Sequence, residues 1–214
     1  MGLSALMDIA KTALFTAQQG LTVTGHNIGN VNTPGFSRQE VILTEERPVD
    51  GRPGQVGSGV RIAEIRRAVD VFLNREVMES HEDLGQFTVL RDELNRLESL
   101  FGDARGQGLS GKLNELFKAL QDATTTPSQV SARSVVLGRA STLAGAFHQI
   151  NTDLVETRRA IDVQVGVTID EVNTLTAKIA EFNTQIKSAE VSGQNANDLR
   201  DQRDLAVNEL ATRV

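Results

Sequence analysis

The sequence predicts a mainly α-helical protein, an elongated bundle of long coiled-coil-like helices with a short β-hairpin or extended arm after the first helix. Apolar residues recur at alternating spacings of three and four in several long stretches, which is the pattern of helices that pack in coiled coils. A Pro-Gly pair follows the first of these stretches, and two segments rich in strand-forming residues come after it.

The first helix is predicted over residues 3–28, where the apolar residues follow heptad spacing. Ala and Thr occupy several of the heptad positions, so the ridge that they form is only weakly hydrophobic. No segment adjacent in sequence is a matching partner, so the ridge must be buried by a distant segment or by another chain. We therefore predict a polymer interface at its large members: Leu3, Met7, Leu14, Leu21 and Ile28.

The first helix ends for local reasons. Pro34 has no N–H and disfavours helical backbone at Thr33, and Pro34-Gly35 fits the two central positions of a type II turn. Strand-forming residues then run over 36–44 and again from residue 60, and a Gly- and Pro-rich loop over 47–59 separates them. A β-hairpin or extended arm is therefore expected across 36–65.

Helical periodicity returns from about Val69 and continues to Phe101, with Gly102 at the position of a C-terminal cap and a turn over 103–108. A shorter helix follows. Thr126 is then predicted as the N-cap of the longest helix, with Pro127 in the first helical position.

The longest helix keeps its three-and-four spacing until Gly193, and a last helix is predicted over 195–214. Within that last helix, Arg200 and Asp204 lie four residues apart and are expected to pair. No stop signal precedes Val214, so we expect the sequence to be part of a longer one. The domains predicted are 1–35, 36–66 and 67–214.

Composition excludes several classes of function. The 214 residues contain 22 Lys and Arg against 28 Asp and Glu, a net charge of −6, which disfavours a nucleic-acid interface. With 0 Cys and 3 His, and no nucleophile beside a base, the sequence predicts no metal site, no cofactor and no enzymatic activity. No apolar run is long enough to insert into a membrane, and the N-terminus lacks the features of a standard secretory signal.

The segment Gly20–Gln39 resembles the N-terminal signature of the bacterial flagellar axial proteins, which are the rod, hook and hook-associated proteins. Its continuation Ser37-Arg38-Gln39 is similar to the hook-associated branch at the junction between hook and filament. Residues 127–147 and 197–204 agree with that branch, whereas Gly29 and Phe36 replace the more common Ala and Tyr. The residues at the signature positions are Asn27, Asn30, Asn32, Thr33, Pro34, Gly35, Phe36 and Arg38.

The resemblance implies a structural subunit of the bacterial flagellum that is required for filament assembly and motility. It implies export through the flagellar export apparatus, with a chaperone and without a cleaved secretory signal, to an extracellular location. It also implies self-association in a helical tube and contacts with the hook protein and with the second junction protein, hook-associated protein 3. The alternatives are a hook or rod axial subunit and a cytosolic coiled-coil scaffold.

Overall fold

The computed structural model describes residues 3–50, 54–101, 108–191 and 193–214. Within these ranges it contains five helices and two small antiparallel sheets, as the sequence predicts for a mainly helical chain with a hairpin after its first helix. The elements are α1 Leu3–Gly29, β1 Gln39–Glu45, β2 Val49–Asp50, β3 Gln55–Val56, β4 Val60–Arg67, α2 Val71–Phe101, α3 Leu109–Thr125, α4 Val130–Val191 and α5 Asn197–Ala211.

The chain forms two units. The first consists of residues 1–83 together with 172–214, and the second consists of residues 84–171. The first unit therefore combines α1, the hairpin and α5 with the beginning of α2 and the end of α4. The domain boundaries predicted from sequence at 35/36 and 66/67 stay predictions.

The predicted hairpin is confirmed. Strands β1 and β4 pair antiparallel from Gln39 opposite Arg67 to Glu45 opposite Val60, with an irregularity between Ile42 and Leu43. The predicted loop over 47–59 is not wholly irregular, because its described residues include β2 and β3, which pair as a second, two-residue ladder. A hydrogen bond from Gln55 Nε2 to Asp50 Oδ1, at 2.9 Å, supports this short ladder.

The residue just before α2 caps the free N–H groups of its first turn. Asp70 Oδ1 accepts hydrogen bonds from the backbone N–H groups of Phe72 and Leu73 at 2.9 and 3.2 Å. The predicted cap at Gly102 and the turn over 103–107 lie outside the described residues.

The predicted N-cap of α4 at Thr126 is wrong. Thr126 follows the end of α3, and its carbonyl accepts a hydrogen bond from the N–H of Gln129 at 3.1 Å, which closes a turn through Pro127. The first helical carbonyl is that of Gln129, bonded by the N–H of Arg133. The turn separates the two helices, so α4 begins three residues later than a Pro127 start would give.

The predicted long helix is confirmed as a single element of 62 residues. It ends before Gly193, which has φ +80° and donates its N–H to the carbonyl of Glu190 at 3.0 Å. A glycine with positive φ is the usual residue after a helix C-terminus because a Cβ would be strained there. Helix α5 then starts at Asn197.

Small residues form most of the buried apolar positions. In the first unit the buried apolar residues are Val23, Ile186, Ala196, Ala206 and Ala211. In the second unit they are Ala119 and Leu143. Alanine at such positions lets neighbouring backbones approach closely, and it contributes little apolar area, so polar contacts take a large part in fixing the first unit.

Candidate functional site

The ridge predicted on α1 faces solvent. Its large members Leu3, Met7, Leu14, Leu21 and Ile28 are each 66% to 76% exposed. The Ala and Thr residues between them in the heptad pattern are exposed as well. The apolar ridge therefore runs along the whole length of α1, and the described residues of the first unit leave it exposed.

The opposite face of α1 packs against the hairpin. This face consists of small, polar and β-branched residues at their own three-and-four spacing, among them Ile9, Thr12, Thr16, Val23 and Asn27. Thr16 is buried, and its hydroxyl donates to backbone carbonyls within α1, so burial leaves no free donor there. Helix α1 therefore uses its less hydrophobic face for intramolecular packing.

A glycine allows the hairpin to approach this face closely. Gly59 has φ +119°, and a Cβ added to it would overlap Thr12 Oγ1 and come within 3.5 Å of Ile9 Cα. The carbonyl of Gly59 also accepts a hydrogen bond from the N–H of Glu46 at 3.0 Å, next to the β1–β4 ladder.

The predicted type II turn is present at the end of α1. The N–H of Phe36 donates to the carbonyl of Thr33 at 3.2 Å, and Gly35 has φ +79°, as the second central position of that turn requires. Gly35 also lies against α5, because an added Cβ would be 3.0 Å from Leu205 Cβ.

Two signature asparagines stabilise the turn from different sides. The Asn27 amide makes a pair of hydrogen bonds with the backbone of Gln39: Nδ2 donates to its carbonyl at 2.9 Å, and Oδ1 accepts from its N–H at 2.8 Å. Asn30 instead bonds locally, donating Nδ2 to the carbonyl of His26 and accepting at Oδ1 from the hydroxyl of Thr33. Asn27 thus joins α1 to β1, and Asn30 completes the C-terminal end of α1.

The remaining signature residues have more peripheral positions. The ring of Phe36 packs edge to face against His26, with centroids 5.3 Å apart. The side chain of Arg38 is exposed and pairs with Glu40 at 2.6 Å, while its carbonyl accepts the N–H of Ala68 at 2.7 Å. Asn32 is exposed.

Three aspartates of α5 bind groups from the N-terminal segment. Asp198 Oδ1 accepts from Gln39 Nε2 at 2.8 Å, and Asp201 Oδ2 accepts from the N–H of Ser37 at 3.0 Å. Arg67 Nη1, at the end of β4, donates to Asp201 Oδ1 at 2.7 Å and to Asp204 Oδ2 at 2.9 Å. The side chains of Arg67 and Asp201 are only 11% and 7% exposed, so this ion pair is shielded from solvent.

The pair predicted between Arg200 and Asp204 is wrong. Arg200 binds Glu190 at the end of α4, with Nη2 2.5 Å from Oε1, and Asp204 binds Arg67 and Arg203. Tertiary partners replace the neighbour one helical turn away because Arg67 brings a shielded positive charge to this face of α5. Burial by itself would lower the pKa of Arg67, but its hydrogen bonds and charge attraction to Asp201 and Asp204 raise that pKa above its ordinary value.

The described residues include no group of three His, Cys, Asp or Glu side chains placed to hold a metal ion. Nor is any helix in the described ranges both long enough and apolar enough to cross a membrane. In the first unit, one face of α1 packs on the hairpin, and the apolar ridge on the opposite face is exposed.

Comparison with known proteins decides the family. Residues 94–214 match the model of the flagellar hook-associated protein FlgK helical domain. The chain belongs to this family. The FlgK-family match covers α3, α4 and α5 and the last part of α2, and so includes the aspartates that hold the signature turn.

Curated relatives match over nearly the whole chain. Flagellar hook-associated protein 1 of Bacillus subtilis strain 168 is 29% identical over 215 residues, which is 97% of this chain and 42% of that protein. The proteins of the same name from Salmonella typhimurium strain LT2 and Escherichia coli strain K12 are 28% and 25% identical, again over 97% of this chain and over 38% of theirs. The chain therefore spans about two fifths of the length of the curated relatives it matches.

Sequence reasoning identified the ridge and the turn of this FlgK-family chain but missed two functional features. It did not separate the packed face of α1 from the exposed one, although Thr12, Thr16 and Val23 already show helical spacing. It also did not connect Arg67 with Asp201, because nothing in the intervening sequence indicates which residues meet across such a distance.

Proposed function

We propose that this chain is part of a structural subunit of the bacterial flagellum, at the junction between hook and filament. The observation that carries the proposal is the exposed ridge of α1, which lies opposite the face that packs on the hairpin, in a chain of the FlgK family. The role is mechanical and involves no catalysis. Its location is the extracellular flagellum.

The ridge is the proposed surface for self-association in a helical tube. Burying one large aliphatic side chain contributes about 1.5–3 kcal/mol, so burial of all five large ridge residues against a neighbouring copy would contribute about 7–15 kcal/mol before the cost of ordering and association. Identical chains whose contacts do not close on themselves form open helical assemblies. The hook protein, hook-associated protein 3 and the flagellar export apparatus with its chaperone are the further proposed partners.

The test places charges on the ridge of the protein in its native bacterium. Leu14→Glu with Leu21→Glu puts two carboxylates in the centre of the ridge, where they would have to be desolvated on association. We expect loss of motility and release of filament subunits into the medium while hooks remain present. Swimming assays, immunoblots of the medium and electron microscopy of hooks measure these outcomes.

The matched control is Ser4→Glu with Thr22→Glu. Both positions are exposed on α1 but lie beside the ridge, so the variant adds the same two charges to the same helix. It should assemble and swim normally. Full motility in the Leu14/Leu21 variant would refute the ridge as an assembly surface.

The alternatives predict different outcomes. A hook or rod subunit would leave cells without hooks when the protein is deleted, whereas a junction subunit leaves hooks without filaments. A cytosolic scaffold would be recovered in the cytosol and be absent from sheared flagella.

A further inference from the structure

Asp201 is a buried acid in the first unit that the proposed assembly surface does not use. The residue is 6% exposed, and its two carboxylate oxygens bind different segments of the chain. One oxygen accepts the N–H of Ser37, and the other accepts Arg67 Nη1. A single side chain of α5 thus holds both the strand entry after the signature turn and the end of the hairpin.

Other contacts made by α5 and by the residues just before it lie at the same two places. Leu205 lies against Gly35 in the turn, and Gly35 has no side chain to separate them. At the hairpin end, Asn195 Nδ2 and Asn197 Nδ2 both donate to the carbonyl of Ile65, at 3.0 and 2.8 Å. The segment 195–205 therefore contacts the turn and the hairpin through polar groups and through packing.

The contacts of α5 with the turn also affect the orientation of α1, because α1 is hydrogen-bonded to the start of β1. Asn27 joins the last turns of α1 to Gln39, two residues beyond Ser37, so the turn and the start of β1 move with the end of α1. The other hydrogen bonds within residues 30–37 are short-range, and the carbonyl of Arg38 accepts the N–H of Ala68 at the end of the hairpin. Because α1 also packs directly on β1 and β4, α1 and the hairpin form one body, and fixing Ser37 and Arg67 against α5 fixes the orientation of that body relative to α5.

We propose that Asp201 is a positioning residue through which α5 fixes the orientation, relative to itself, of α1 and the hairpin, and hence of the exposed ridge that α1 carries. The partners are 164 and 134 residues apart in sequence, so the N-terminal segment acquires its final orientation only once α5 has docked. The consequence for assembly rests on the proposed function, whereas the orientation itself is a property of the isolated chain.

The test measures orientation directly in the full chain. The sequence contains 0 Cys, so two introduced cysteines, Gln18→Cys on α1 and Thr212→Cys after α5, would carry the only spin labels. Both positions are exposed and belong to the first unit. Asp201→Ala should broaden the distance distribution between the labels, and Asp201→Asn, which keeps one carbonyl oxygen acceptor, should broaden it less.

Hydrogen exchange provides the local readout. Loss of a buried charge-assisted hydrogen bond should speed exchange at the Ser37 amide by about tenfold or more. A merely structural role would speed exchange across the whole first unit to the same extent, including the β1–β4 ladder. The control Glu209→Gln removes one negative charge from an exposed position of α5 and should change neither the distances nor the exchange rates.

An unchanged distance distribution and an unchanged Ser37 amide in Asp201→Ala would overturn the proposal, as would uniform acceleration throughout the first unit. If Asp201→Ala does not fold, the same comparison between Asp201→Asn and Glu209→Gln decides. A variant with a mobile α1 that still builds normal junctions would remove the link to assembly and leave the positioning role intact. Failure of the Leu14/Leu21 test would remove the proposed function without affecting these measurements.

Discussion

Replacing Gly59 with alanine should weaken the packing of the hairpin on α1. Gly59 combines φ +119° with a position where a Cβ would overlap Thr12 Oγ1. Left-handed backbone costs a residue other than glycine about 1–2 kcal/mol, and overpacking a close contact costs about 1–3 kcal/mol. The free energy of unfolding of the first unit should therefore fall by about 2–5 kcal/mol in Gly59→Ala.

Two further variants separate these terms. Gly193 has φ +80°, and a Cβ added there would meet no atom within 4 Å apart from its chain neighbours. Gly193→Ala therefore measures backbone strain alone and should cost about 1–2 kcal/mol. Adding Thr12→Ala to Gly59→Ala removes the overlapping oxygen and should recover the steric part of the loss. The backbone part should remain.

The assay is urea unfolding followed by the fluorescence of a Phe36→Trp reporter, which would be the only Trp of the chain and lies in the first unit. Thermodynamic coupling between the substitutions at 12 and 59 should amount to about 1–3 kcal/mol of recovered stability. Equal losses in Gly59→Ala and Gly193→Ala, with no recovery in the double variant, would show that α1 and the hairpin are not in close contact at Gly59.

Two other predictions concern the polar contacts. Asn27→Ala leaves the N–H and carbonyl of Gln39 without their partner, so stability should fall by about 1–3 kcal/mol and the Gln39 amide should exchange faster; normal protection of that amide would contradict the assigned pairing. Arg67→Met leaves Asp201 as a shielded, unpaired charge and should cost about 3–5 kcal/mol. Because the pKa of Arg67 is raised on folding, its contribution is complete below the ordinary arginine pKa and is lost only as pH rises through the still higher folded value. The stability difference between wild type and Arg67→Met, from urea titrations, should thus stay constant from about pH 8 to 10, and a steady decrease over that range would count against the ion pair.

Local rules predicted the elements whose causes are local. The turn at Pro34-Gly35 follows from the restricted φ of proline and the free φ of glycine, and the three-and-four spacing was enough to predict α4 as one long helix. The predicted start of α4 was wrong because Thr126 is a typical N-cap residue but here follows the last residue of α3 as its C-cap. Two neighbouring helices compete for such residues, and residue type alone does not decide between them.

The candidate site depended on information that a single sequence lacks. Because no adjacent segment matched the α1 ridge, the sequence predicted that a distant segment or another chain must cover it. The partner of the opposite face could not be inferred from Thr12 and Thr16, which are common on exposed helix surfaces. The pairing of Arg200 with Glu190 rather than with Asp204 followed from where Arg67 lies after folding. Nearest-neighbour helix rules are worth only a few tenths of a kcal/mol, so tertiary charges override them readily.

The ridge of α1 has unequal sides. From Met7 onward, bulky side chains recur every seven residues at Leu14, Leu21 and Ile28, and the intervening heptad positions hold Ala10, Ala17 and Thr24. A helix packed along the ridge would contact a row of bulky side chains beside a row of small ones. Sliding by one heptad, about 10 Å, restores the same fit, whereas smaller shifts set knob against knob. Copies that pack through this helix would therefore favour axial offsets of whole heptads, and the spacing of the four bulky side chains would set those offsets.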